Sequence, residues 1–269
     1  MNYIGIDIGT SNIKIIEVDE KLDLKNKMIF EGKNVKESFD KFINCSNIDL
    51  KHVKQITATG VGANKLREKI ENVDIEIVPE FEAIANGGKL VVKNDNFIAV
   101  SIGTGTAFVK NKDKSIAHIG GTGIGGGTLL NLCKKIDPNF TFDKIEKITK
   151  TCNLEDVDLW IKDVTDEEIK TLPKNITAVN FGKLTEKTNN EDMILGFINM
   201  VFEAVGVMAA FAAKGEGINK IAIFGQLAKI PFARKVLDKI EILHDVKFAI
   251  AKNPEYMVAL GAIYTILHK

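Results

Sequence analysis

The stretch YIGIDIGTSNIKIIEV, residues 3–18, is echoed by FIAVSIGTGTAFV, residues 97–109. In each copy an apolar run ends at a glycine beside threonine or serine, and a second apolar run follows at once. That pattern predicts a strand, a tight turn and a returning strand. Backbone N–H groups gathered at such a turn can wrap a phosphate. Two such hairpins facing each other predict a nucleotide cleft in a two-lobed α/β chain.

The two copies differ where chemistry would be expected. In the first, Asp7 precedes Gly9, Thr10 and Ser11, so a strand-end carboxylate able to hold a hydrated Mg²⁺ stands beside hydroxyls and amides that reach phosphates. Lys14, on the return strand, adds a positive charge. An Asp beside a glycine turn is by itself ordinary turn chemistry, and the second copy is what gives it weight. There Ser101 takes the place of Asp7, so Gly103, Thr104, Gly105 and Thr106 offer amides and hydroxyls without a second carboxylate.

Outward from the hairpins the pattern alternates strand and helix. An extended segment at 24–31, an amphipathic helix at 35–45, a strand at 55–59, a helix at 64–70 and a short strand at 74–78 complete the first unit. Glu80, in VPEFEA, is expected on a turn after that strand, where a carboxylate can take the proton from an attacking hydroxyl. In the second unit His118 and Ile119 precede GGTGIGGGT, residues 120–128, which is expected to open a helix at 129–135. Its unpaired N–H groups and glycines would let a phosphate or ribose approach. The run does not match GxxxxGK[ST], because Lys134 comes too late. Residues 140–187 read as a polar insertion carrying the sole tryptophan, Trp160. A long apolar helix at 193–213, interrupted by Asn199 and Glu203, reads as buried rather than membrane-spanning. A strand at 221–224, a helix at 231–237, a strand at 246–251 and an amphipathic helix at 256–267 close the chain. The expected division is a first lobe at 1–95, rejoined by the last helix at 256–268, and a second lobe at 96–255.

Lysine plus arginine balance aspartate plus glutamate at 36 each. No overall field therefore favours nucleic acid or an anionic membrane. Cys45, Cys133 and Cys152 form no CxxC pair, and the chain starts directly on a core-type strand, so a reducing cytoplasmic setting is expected.

DIGTSNIK, SIGTGT and IFGQL resemble the paired phosphate motifs and the adenosine motif of the actin, hexokinase and heat-shock chaperone ATPase superfamily, with its ribonuclease H-like fold. Within it, the order VPEFEA, SIGTGT, GGTGIGGGT, NITAVNFG and FGQLAKIPFARKVL resembles type II pantothenate kinase over nearly the whole chain. The resemblance implies Mg²⁺- and ATP-dependent phosphorylation of the primary hydroxyl of pantothenate, the entry step to coenzyme A, by a homodimer. It implies Asp7 as the acid that meets the metal through water and Glu80 as catalytic base. Gly103 to Thr106 become the second phosphate loop. Gly121, Thr122, Gly123, Gly125, Gly126 and Gly127 become the nucleotide wall, and Gly225 and Gln226 border adenosine. Thr104 and His118 fall on the substrate side, and the dimer contact falls on the helix around Phe197 to Phe211. One departure stands out: the family carries an arginine where this chain has His118, and imidazole offers an anion a single contact rather than a fork. Two other readings fit the same motifs. One is a same-fold kinase for another hydroxyl acceptor, such as pantetheine or an amino sugar. The other is an actin- or chaperone-like nucleotide-switched ATPase. An activator ATPase with an intersubunit iron–sulfur cluster is disfavoured by the cysteine spacing.

Overall fold

A computed structural model describes residues 1–32, 34–66, 74–169 and 172–269. The chain opens with β1 (Asn2–Ile8), β2 (Asn12–Val18) and β3 (Leu24–Glu31), followed by helix α1 (Val35–Ser46), β4 (Val53–Thr59) and β5 (Ile75–Ile77). Helix α2 (Glu80–Val92) leads to β6 (Phe97–Ile102), β7 (Thr106–Lys112), β8 (Ser115–Thr122) and α3 (Gly126–Ile136). Helix α4 (Lys144–Thr151), the two-residue strand β9 (Leu159–Trp160), the single-turn α5 (Ile161–Val164) and β10 (Thr177–Val179) make up most of the insertion. The long α6 (Asn190–Gly215), β11 (Lys220–Gly225), α7 (Pro231–His244), β12 (Lys247–Ile250) and α8 (Met257–Leu267) complete the order.

The strands form two mixed five-stranded sheets, ordered β3-β2-β1-β4-β5 and β8-β7-β6-β11-β12. In each, an antiparallel three-strand meander is extended by two strands parallel to its first member. The duplication seen in the hairpins therefore covers both whole sheets. Central strands β1 and β6 are covered on both faces, and their side chains are buried almost continuously, as interior strands require. Edge strand β3 alternates half-buried with exposed residues along much of its length.

One apolar cluster packs α1 against the first sheet, and another packs α3, α4, α6 and α7 against the second. A third joins the two, with Ile16 and Val18 from the first sheet, Phe97, Ala99 and Phe224 from the second, and α2 and α8 between them. Helices α2 and α8 cross at glycines. A Cβ on Gly261 would fall on the carbonyl oxygen of Ala83, and one on Gly87 would lie 2.5 Å from that of Met257. Burial is nearly complete from Met257 to Ile263, so α8 is an interior helix packed on β1, β4 and α2, not the amphipathic helix expected from sequence. Helix α6 is the core helix expected, and Asn189 caps it by accepting from the Asp192 N–H. The helix expected at 64–70 is a single 3₁₀ turn, Ala63–Lys65, as far as residue 66. Positions 67–70 lie outside the described residues.

Candidate functional site

The parallel strands β1, β4, β6 and β11 end on one side of the molecule, the side where open α/β sheets place their ligands. A cleft of about 750 Å³ opens there between the two sheets. From the first hairpin it takes Asp7, Gly9, Thr10, Ser11 and Lys14, and from α2 it takes Glu80. From the second hairpin come Gly103, Thr104, Gly105 and Thr106, with Gly121, Thr122, Gly126, Gly127 and Gln226 completing that wall. The hairpin tips meet across it: the Ser11 and Thr104 hydroxyl oxygens are 3.0 Å apart, and the Asn12 amide donates to Gln226 Oε1 at 3.3 Å.

Register across the first hairpin puts Asp7 opposite Lys14. Lys14 Nζ donates to Asp7 Oδ2 at 2.9 Å, with the two side chains only 14% and 7% exposed. Lys14 is thus neither solvated nor free, and its charge is held at the cleft floor by Asp7. Glu80 is the first residue of α2, after Pro79 at the cap position, so the turn expected from VPEFEA is a helix start. A carboxylate is favoured in that first turn by the helix dipole, yet burial and then the Asp7 carboxylate raise the Glu80 pKa, against the opposing pull of Lys14 and His118. The ring of His118, on β8, stacks on Phe81 with centroids 4.2 Å apart and planes 8° from parallel. His118 therefore stands beside Glu80 rather than in the cleft wall.

The glycine-rich run is not one loop. Gly120, Gly121 and Thr122 finish β8, and α3 begins at Gly126, three residues before the start expected from sequence. The amides expected to await a phosphate are occupied: Gly126 N–H donates to Gly103 O at 2.8 Å and Gly127 N–H to Thr104 O at 2.9 Å. These bonds staple the second hairpin turn to the helix, so rigidity of the turn is what this helix start supplies. Gly125 stands behind the wall, where a Cβ would meet the Gly105 backbone. Gly225, at φ +110°, is pressed against the Ile102 carbonyl, and the 3₁₀ turn Gln226–Lys229 that follows brings Gln226 forward. Gly123 lies on the connection between β8 and α3, where its carbonyl accepts from the Thr128 hydroxyl at 2.7 Å.

Other residues reach the cleft with no motif to announce them. Leu130 and Lys134 line it from one face of α3, joined by Phe140 and Phe142 from the start of the insertion and by Glu31 from the end of β3. The spacing of Leu130 and Lys134, four residues apart, was the only signal available. Cys133, also on α3, is buried, and its thiol is pushed up to about 12 by that burial. Among the described residues no three His, Cys, Asp or Glu side chains are grouped as a metal-ligand cluster.

Comparison with known proteins agrees with this architecture. The family model described as Fumble matches residues 95–238. A type II pantothenate kinase of Bacillus thuringiensis subsp. konkukian (strain 97-27) is 30% identical over 231 residues, 82% of each chain. Among solved structures, the activator of the 2-hydroxyisocaproyl-CoA dehydratase from Clostridium difficile with bound ADPNP superposes with a TM-score of 0.66 at 15% identity, over 99% of this chain and 94% of that one. A ROK family glucokinase from Streptomyces griseus in complex with glucose and AMPPNP gives 0.62 at 9% identity, over 97% and 98%. These two likenesses show the fold alone, a two-lobed actin-like α/β fold. With more than half of its length matched by the Fumble model and a curated relative aligned over most of it, the chain belongs to the type II pantothenate kinase family.

Proposed function

We propose that this protein transfers the γ-phosphoryl group of ATP to the primary hydroxyl of pantothenate, giving 4'-phosphopantothenate and ADP. The observation that carries the reading is the placement of Glu80. It is a half-buried carboxylate with a raised pKa, at a helix start on the cleft that both phosphate-type hairpins line. In the proposed complex the ATP phosphates lie between the turn of Gly9, Thr10 and Ser11 and that of Gly103, Thr104 and Gly105. Adenosine then extends toward Gln226 and the apolar side chains of Leu130, Phe140 and Leu227. Pantothenate occupies the end near Glu80, Thr104 and His118. Glu80 takes the hydroxyl proton as the oxygen attacks phosphorus in line and the bond to the bridging oxygen of ADP breaks. Catalysis is positioning plus charge neutralisation, with Lys14 countering the phosphate charge.

Asp7 fits a cation held through water, because Mg²⁺ keeps several of its waters and needs only one or two carboxylates besides phosphate oxygens. When bound, Mg²⁺ would neutralise charge on the phosphates. Imidazole at position 118 gives an anionic acceptor a weaker anchor than arginine, so the acceptor is the part of the reading that most needs a direct test.

A homodimer in the cytoplasm completes the proposal. On α6, Phe197 is packed against Phe181, while Phe211 is 59% exposed and Met208 lies three residues before it at 36%. The proposed seam is therefore the C-terminal part of the helix. The Glu80→Gln protein tests the base. It should bind ATP as the parent does and lose nearly all pantothenate-dependent turnover, at least about a hundredfold. Turnover close to the parent's would remove Glu80 from the mechanism.

A further inference from the structure

Thr59 ends β4 directly opposite Asp7 in the parallel pairing of β1 with β4. Paired residues of neighbouring strands project from the same face of a sheet, so the Thr59 and Asp7 side chains stand side by side. Thr59 is fully buried, and its hydroxyl has no hydrogen-bond partner among the described residues. The next residue, Gly60, presses its backbone toward the same carboxylate: a Cβ there would lie 3.0 Å from Asp7 Oδ1. A buried hydroxyl without a partner costs stability, and valine would fill the same volume without that cost. Violations of this kind gather where function needs them.

Resting on the ATP-binding reading above, we infer that Thr59 is a positioning residue for Asp7 whose hydroxyl is matched only in the nucleotide-bound protein. In the free protein Lys14 holds Asp7 Oδ2. Arrival of the phosphate chain draws the Lys14 ammonium toward the greater negative charge, and the carboxylate loses its donor. The Thr59 hydroxyl, on the adjacent strand at the same level, donates to Asp7 in its place and keeps the carboxylate aimed at the phosphate turns. No bond is made or broken covalently. The device exchanges one hydrogen-bond donor for another.

The test compares the parent, Thr59→Val and Thr59→Ser by thermal unfolding without ligand, by calorimetric titration with Mg²⁺ and AMPPNP, and by steady-state kinetics. Thr59→Val should unfold at the same or a higher temperature than the parent, bind AMPPNP about ten- to a hundredfold more weakly, and show that loss in the KM for ATP with kcat little changed. Thr59→Ser should restore the affinity. A lower unfolding temperature for Thr59→Val would mean that the hydroxyl is already partnered at rest, and equal AMPPNP affinity would mean that it never is. Either result overturns the inference. Parent protein that binds AMPPNP but does not phosphorylate pantothenate would defeat the acceptor reading alone. Parent protein that fails to bind AMPPNP would defeat both.

Discussion

Burial and the neighbouring Asp7 carboxylate both oppose ionisation of Glu80, while Lys14 and His118 favour it, and the first pair prevails. Because the native pKa lies above that of the unfolded chain, the native state binds the proton more tightly. Folding stability at this site is therefore greatest at low pH and declines as pH rises from the unfolded value through the raised native one. Glu80→Gln removes that penalty, so its melting temperature should exceed the parent's at pH 7 to 8 and the gap should close toward pH 4. A gap that widened on acidification would contradict the sign of the shift. Turnover runs the other way, since a base must be ionised: its acid limb should track the raised pKa of Glu80. At this scale the placement of Asp7 and of the hydroxyls of both turns on the cleft was legible, because their spacing from glycines is local, whereas Glu80 was singled out by its place after a strand and a proline and by the family resemblance. Lys134 and Phe140 were not, because they reach the cleft only through the way α3 and the insertion pack. The pairing of Lys14 with Asp7 follows from hairpin register, which a two-copy motif does not by itself state.

Helix α2 shows how an element can hide. Its sequence, EFEAIANGGKLVV, carries Gly87 and Gly88 in the middle and has no side-chain cap at Pro79, and paired glycines ordinarily mark a break. Here they make room, Gly87 for the Met257 carbonyl of α8 and Gly88 for the ring of Phe97 on β6. Tertiary packing outweighs the roughly 1 kcal/mol that each glycine costs a helix. The crossing partner is more demanding still. Gly261→Ala would drive a methyl into the Ala83 carbonyl and should destabilise the protein by about 1–3 kcal/mol or more, read as a drop in denaturant midpoint. An unchanged midpoint would mean that the two helices do not cross this closely. The amphipathic reading of α8 failed for a related reason: a helix sandwiched between another helix and a sheet has no exposed face to keep polar.

On the scale of the molecule, the repeated hairpin proved to be the visible part of a repeated sheet. Strands β4 and β11, and the edge strands β5 and β12, occupy equivalent places without sharing a motif. The fold class was legible from the hairpins. The extent of the duplication needed the pairing. The same view locates the proposed dimer seam: Phe211, edge-on to His244 of α7, is a large apolar side chain left exposed, with Met208, on a helix that is mostly buried. Phe211→Glu should convert a dimer to a monomer in light scattering while leaving the fold intact, and a parent protein that is monomeric at micromolar concentration would contradict the seam.

The central claim, phosphoryl transfer to pantothenate, is tested most directly by measuring acceptor-dependent ADP formation from Mg-ATP by the purified protein with pantothenate, pantetheine and N-acetylglucosamine in parallel. The account predicts the highest kcat/KM with pantothenate and its loss in Glu80→Gln. ADP formation that is independent of any acceptor, or that is highest with N-acetylglucosamine, would contradict it.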